Sequence, residues 1–189
     1  MQLILPDTLT LEAYLAYCEA NPDLRLERTA KGEIVIVPPA GGESDYRSLE
    51  IGAELRNWAK RDARGVAFGP SVEFLLPNGA ALSPDAAWVS NEKLARLSKE
   101  QRRKFLRLAP DFVAEILSPS DRLPAAQDKM LQWIENGVTL AWLIDGDAQT
   151  IYIYRTAQPV QKCRGMATLA GDGPLRGFTL KLADLWAGL

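Results

Sequence analysis

Between residues 10 and 20 the apolar side chains fall at Leu11, Tyr14, Leu15 and Cys18, the three-and-four spacing that lines one face of a helix. Thr10 stands where a capping hydroxyl is wanted and Asn21–Pro22 follows Ala20, so the pattern predicts a helix ending at Ala20. The period then drops to two. Leu24 and Leu26, then Ile34 and Ile36, alternate around Ala30–Lys31–Gly32, which predicts a hairpin with a glycine turn. Pro38–Pro39–Ala40–Gly41–Gly42 reads as a loop. After it, Ser44 is expected to cap an amphipathic helix carrying Leu49, Ala53 and Trp58 and ending near Gly65.

A second hairpin is expected from Val72–Leu76 and Ala81–Val89 around Pro77–Asn78–Gly79, with Asp85 on its return strand. Residues 91–107 read as a basic helical insertion, holding Arg96, Lys99, Arg102, Arg103, Lys104 and Arg107. Phe112–Leu117 is a short apolar strand, Pro124 opens a helix that runs to Asn136–Gly137, and Val138–Ile144 is a strand with the look of a buried one. A last hairpin turns at Asp145–Gly146–Asp147 and brings in Ile151, Ile153 and Tyr154. Strands, helix, strands, strand, helix, strands is the order of an α/β domain with a mixed sheet and helices packed on it.

At 189 residues and 47% hydrophobic composition, the chain has enough material for one domain with a sizeable core. No apolar run approaches the roughly 20 residues that cross a bilayer, and Met1–Pro6 lacks the pattern of a signal peptide. The expectation is a cytoplasmic protein with no membrane partner. Cys18 and Cys163 are too few for a disulfide framework or a zinc knuckle. The absence of histidine removes the histidine triads, the histidine-based zinc sites and the histidine general base. Catalysis would have to run on carboxylates, lysines, hydroxyls and hard metals. The formal charge of −2 hides an asymmetry, because residues 1–54 hold four of the 22 basic and ten of the 24 acidic residues. The basic surplus lies further along, where a local groove for nucleic acid is compatible with an acidic whole.

Two carboxylates are out of place. In the strand after Asp111, Val113, Glu115 and Leu117 share one face, so Glu115 lies among apolar neighbours and calls for a partner. Asp85 follows Pro84 and precedes Ala86–Ala87–Trp88–Val89, in a strand that disfavours aspartate. Taken singly, Glu115 reads as half of a structural ion pair with an arginine or as a strand-end glutamate facing water, and Asp85 reads equally as a turn residue or a functional one. Taken together, in a chain without histidine, they make an oxygen-ligand site for magnesium or manganese.

Ser83–Pro84–Asp85–Ala86–Ala87–Trp88–Val89, then Pro110–Asp111–Phe112–Val113–Ala114–Glu115–Ile116–Leu117–Ser118–Pro119–Ser120–Asp121, then Lys129, Gly137–Val138 and Trp142–Leu143–Ile144–Asp145 together resemble the Uma-type family of bacterial restriction-endonuclease-like proteins, in the PD-(D/E)xK nuclease superfamily. Leu26–Glu27, Gly32–Glu33, Pro38–Pro39 and Leu76–Pro77–Asn78–Gly79 extend the likeness over most of the chain. The resemblance implies a single restriction-endonuclease-like domain over residues 1–189, an α/β core of mixed sheet flanked by helices, with N-terminal and C-terminal hairpins. Asp85 matches the family's first acid and Glu115 its second. The superfamily's lysine two residues beyond the second acid is Leu117 here, and Lys129 on the following helix matches the residue that takes over. A helix-borne acid is also usual, with Glu43 and Glu50 as candidates. Glu27 matches a family position, although by its own pattern it reads as an exposed strand glutamate.

The function implied is hydrolysis of DNA phosphodiesters. Asp85, Glu115 and the Ile116 carbonyl would hold magnesium, Lys129 would assist, and no organic cofactor is implied. The 91–107 segment, with Arg56, Lys60, Arg61 and Arg64, is a candidate DNA-contacting surface, against the alternative of solvated helix faces. Trp58, Trp88, Trp133, Trp142 and Trp186 sit in core-like contexts. A homodimer would suit cleavage of two strands. The rivals are a metal-free glycosidase built on a carboxylate pair and a nuclease-like module without activity that binds nucleic acid or protein.

Overall fold

The computed structural model describes residues 3–189, with side chains from residue 8 onward; the first two residues of the stretch read for a signal peptide lie outside it. Thr10 Oγ1 accepts the Ala13 N–H at 3.2 Å and starts helix α1 (Leu11–Ala20). Strands β1 (Leu3–Thr8), β2 (Leu26–Arg28), β3 (Glu33–Ile36), β5 (Phe74–Leu75) and β6 (Ala81–Leu82) form a five-stranded sheet in the order β1-β3-β2-β6-β5. Tyr14 of α1 is buried against Leu26, Ile34 and Leu75 of that sheet. The expected N-terminal hairpin, β2 and β3, is therefore part of a separate five-stranded sheet.

The second sheet has six strands in the order β11 (Gln161–Arg164), β10 (Thr150–Arg155), β9 (Leu140–Asp145), β8 (Phe112–Ile116), β7 (Ala86–Ser90), β4 (Gly65–Phe68). Only β8 and β9 run parallel, and helix α4 (Leu123–Glu135) is the crossover that joins them. A parallel pair needs cover on both faces. On one face Ile51, Leu55 and Trp58 of helix α2 (Gly42–Asp62) pack with Phe112 and Trp142, joined by Phe178 and Leu180 from the C-terminal segment. On the other, Met130 and Trp133 of α4 pack with Val89, Val113 and Leu143. This is the mixed sheet flanked by helices that the sequence implies.

Four expectations are corrected. First, α2 begins after Gly41 rather than at Ser44 and turns Leu49 outward, 67% exposed, along with Ala53; its buried stripe is Ser44, Arg47, Ser48, Ile51, Leu55 and Trp58. The apolar pattern misleads because the inner face is polar at its start. Arg47 is buried there and is satisfied by Glu43, Asp147 and the Leu185 carbonyl. Second, the return strand of the Pro77–Asn78–Gly79 hairpin is split. Residues 81–82 pair in the first sheet and 86–90 in the second, and Ser83–Pro84–Asp85 lies in the break, where proline has no N–H for a ladder. Third, residues 91–107 are not one helix. Helix α3 (Asn91–Ala95) stops early and a 3-10 turn covers Gln101–Arg103. Ser98 and Gln101 exchange bonds between side chain and backbone, Ser98 N–H to Gln101 Oε1 at 2.7 Å and Gln101 N–H to Ser98 Oγ at 3.3 Å, which compete with helical ones. Fourth, the C-terminal region is more than one hairpin. It adds β11, the pair β12 (Thr168–Ala170) and β13 (Thr179–Lys181), and helix α5 (Ala183–Ala187).

The α2 assignment predicts unequal costs for two similar truncations. Leu55→Ala should destabilise by about 2–5 kcal/mol, as full burial requires, and Leu49→Ala by no more than about 0.5 kcal/mol. Urea denaturation of both variants measures this, and equal costs would mean that the wrong face is buried.

Candidate active site

The register of β7 on β8 pairs Ala86 with Ala114 and Ala87 with Val113. One further step sets Asp85 opposite Glu115, on the face that α4 covers, since directly opposed residues share a face. The Leu117 N–H donates to the Ile144 carbonyl, so by alternation the N–H and C=O of Ile116 point away from β9 and toward β7. The residue opposite Ile116 would be Pro84, which has no N–H to give that carbonyl. Asp85 Oδ2 accepts the Ile116 N–H at 2.7 Å. The proline thus ends the ladder, places the aspartate, and leaves the Ile116 carbonyl without a strand donor.

Lys129 lies on α4 one turn before Trp133, and both reach Glu115. Its Nζ is 3.0 Å from Glu115 Oε1, and the Trp133 Nε1–H donates to the same oxygen at 2.9 Å. Lys129 Nζ is also 3.1 Å from Glu27 Oε1, which accepts the Ser83 N–H at 3.0 Å. Glu27 is 6% exposed: by alternation it faces away from Leu26, which packs under α1, and is covered there by Lys129 of α4 and the Ser83 backbone. The reading of Glu27 as an exposed strand glutamate is thereby corrected. Glu43 instead pairs with Arg47 and accepts the Leu189 N–H, and no bond joins Glu50 to the cluster.

Burial pushes the Glu115 carboxyl up to about 7, with Lys129 opposing and Asp85 and Glu27 assisting. Burial also raises Asp85, against the Ile116 N–H and Lys129. For the Lys129 ammonium burial acts downward, but Glu115, Glu27 and Asp85 outweigh it and hold it above its ordinary range. Three carboxylates therefore face one lysine, and the site is short of positive charge. Among the described residues no three or more His, Cys, Asp or Glu form a metal cage. Two carboxylates with a free carbonyl still suit magnesium, which is commonly held by one or two carboxylates and completes its shell with water and phosphate.

The cluster borders a cleft of about 860 Å³. Ser83 belongs to both, and Arg25, whose charge lowers Asp85, lines the cleft as well. Of the basic 91–107 segment, Arg102, Arg103, Lys104 and Arg107 line it. Arg56, Lys60, Arg61 and Arg64 do not; they are exposed on and just beyond α2.

A family model described as "Putative restriction endonuclease", Uma2, matches residues 11–183. The chain belongs to the Uma2 family. No curated protein matches the sequence. The crystal structure of a "putative nuclease belonging to DUF820" from Anabaena variabilis ATCC 29413 is similar in fold, with a TM-score of 0.79 and 22% identity over 95% of this chain and 98% of that one. Among the described residues no helix is long and apolar enough to cross a membrane.

Within this Uma2 chain the sequence reading missed Glu73 and Tyr14. Tyr14 Oη donates to Glu73 Oε1 at 2.5 Å, and burial raises Glu73 to about 7. An acid inside Val72–Glu73–Phe74–Leu75–Leu76 was a signal of the same kind as Glu115. Trp133 carried none, since an indole on the inner stripe of a helix reads as core.

A pH dependence follows from Glu115. A carboxyl near 7 in the folded chain and near 4.5 when unfolded keeps its proton in the native state while the unfolded state releases it, so stability falls as pH rises between these values. Glu73 acts in the same direction. In chelator, urea denaturation at pH 5 and pH 7.5 should show lower stability at the higher pH, and Glu115→Gln should reduce the difference. An unchanged difference would remove Glu115 as a titrating group.

Proposed function

We propose that this Uma2 chain is a magnesium-dependent endodeoxyribonuclease, with manganese as an alternative ion. The observation that carries the reading is the convergence of Asp85, Glu115, the unpaired Ile116 carbonyl and Lys129 at the broken end of β7, beside a basic cleft. Asp85 and Glu115, with the Ile116 carbonyl, would hold the metal. A bound magnesium ion lowers the pKa of its water and neutralises charge on a phosphate. Glu27 and Glu115 hold the Lys129 ammonium at the edge of that site, where it would orient the attacking water and stabilise the charge that develops on phosphate oxygens. Trp133 fixes the Glu115 carboxylate by its N–H. Cleavage of both strands of a duplex would need two such sites, which a homodimer supplies.

One observation favours the module that binds without cleaving. Glu115 Oε1 is already occupied by Lys129 and Trp133, and a closed ion pair is also what a purely structural role requires. That reading expects DNA binding unaffected by Glu115→Ala and no cleavage in any metal.

Plasmid nicking with magnesium, manganese, calcium or chelator separates the two. Cleavage should require magnesium or manganese. Asp85→Ala and Glu115→Ala should abolish it, and Lys129→Ala should lower it by about a hundredfold or more, the loss typical of a transition-state electrostatic group. Calorimetric titration with manganese should show binding weakened by either acid substitution and nearly unchanged by Lys129→Ala. Cleavage that persists in chelator would overturn the metal reading.

A further inference from the structure

The cleft beside the acids combines cations with apolar side chains. Its cations, Arg25, Arg102, Arg103, Lys104 and Arg107, outnumber its acids, Glu19, Asp23 and Glu73. Among them lie apolar side chains: Leu15, Leu24, Val72 and Phe105, with Leu24 43% exposed. A duplex turns phosphates and mostly polar base edges outward, with the thymine methyl as its main apolar contact, so a row of apolar side chains finds little to cover there. Unpaired bases offer apolar faces, and sites for single strands combine a cationic groove with side chains on which bases lie. The volume of about 860 Å³ falls in the range of pockets that enclose a small group such as a nucleobase with its sugar, about 300–1,000 Å³.

The position along the chain agrees. Ser83 lines the cleft; its carbonyl is 3.4 Å from Lys129 Nζ and its N–H is held by Glu27. Arg25, close enough for its charge to act on Asp85, lines the cleft too and is anchored by its guanidinium to the Pro70 carbonyl at 2.7 Å. Leu24, 43% exposed, and Phe105, half-buried against the core around Tyr14, both line the cleft and would offer surface to bases, while Arg25 and the arginines of residues 102–107 would meet the strand backbone.

Building on the nuclease reading above, we propose that the cleft takes an unpaired stretch of nucleic acid, so that the substrate is single-stranded or carries a frayed or forked end beside the phosphate to be cut. Fluorescence anisotropy in calcium, with a single-stranded oligonucleotide, its blunt duplex and a forked duplex, tests this. The single strand and the fork should bind at least tenfold more tightly than the blunt duplex. Phe105→Ala should weaken binding of the single strand several-fold and leave the blunt duplex unchanged. Leu24→Ser, at an exposed position outside any strand, serves the same purpose if Phe105→Ala fails to fold. Replacing Arg102 and Arg103 by Gln should weaken binding to both forms and flatten the salt dependence. Equal or tighter binding of the blunt duplex, or single-strand binding indifferent to both apolar substitutions, overturns the proposal, as does a cleft that captures an acidic peptide and no nucleic acid. Cleavage of the same three substrates in magnesium keeps the two readings apart. Cleavage without preference for the single strand or the fork sinks the cleft assignment alone, and tighter binding of the single strand without cleavage of any of the three sinks the nuclease assignment alone.

Discussion

The ammonium of Lys129 sits in the seam between two sheets, and the site depends on its being matched there. It extends from α4, which covers the six-stranded sheet, and bonds Glu115 of that sheet and Glu27 of the other. A cation so placed is tolerable only with carboxylates close by, and carboxylates so buried are tolerable only with a cation. Each group thus fixes the others, and the fixed point lies where three separate elements meet. The carboxylates outnumber the lysine, and the surplus is one reason why the Glu115 carboxyl is pushed up to about 7 and holds its proton below that pH.

The break at Ser83–Pro84–Asp85 is the backbone counterpart. A continuous strand from Ala81 to Val89 would belong to one sheet and would use the Ile116 backbone in its ladder. Proline ends the ladder, the chain passes from the five-stranded sheet to the six-stranded one, and the two polar groups of Ile116 lose their strand partners. Asp85 recovers the N–H. The same break holds Ser83, which lines the cleft and lies two residues before Asp85.

Several parts of this were readable from residue order because they rest on local physics. Helix α1 shows in its cap and its three-and-four spacing, α4 in Pro124 and its apolar stripe, and β8 in its alternation, which puts Glu115 among apolar residues. The missing lysine at Leu117 directed attention to Lys129 through the family resemblance, and the structure sets Lys129 against Glu115. Other parts were misread where the local pattern and the tertiary environment disagree. Leu49 is apolar and exposed, whereas Arg47 is charged and buried, because the partners that make Arg47 tolerable come from Asp147 and Leu185, a hundred or more positions away. Residues 91–107 look helical by composition, yet Leu97 and Leu106 are buried by folding the segment back. Leu106 then bridges to Phe74.

Glu27 and Glu115 divide the lesson most clearly. The sequence by itself determined that Glu115 is an acid among apolar side chains, that no histidine could help it, and that a proline precedes Asp85. These are statements about neighbours along one chain, where period-two alternation and side-chain chemistry suffice. Only the tertiary structure decided that Glu27 is buried, that it shares a lysine with Glu115, and that Ser83, whose N–H Glu27 accepts, lines a basic cleft. A three-residue strand has too short a pattern to reveal cover on both faces, and an ion pair between positions 27 and 129 exists only once two sheets and a helix have been brought to one place.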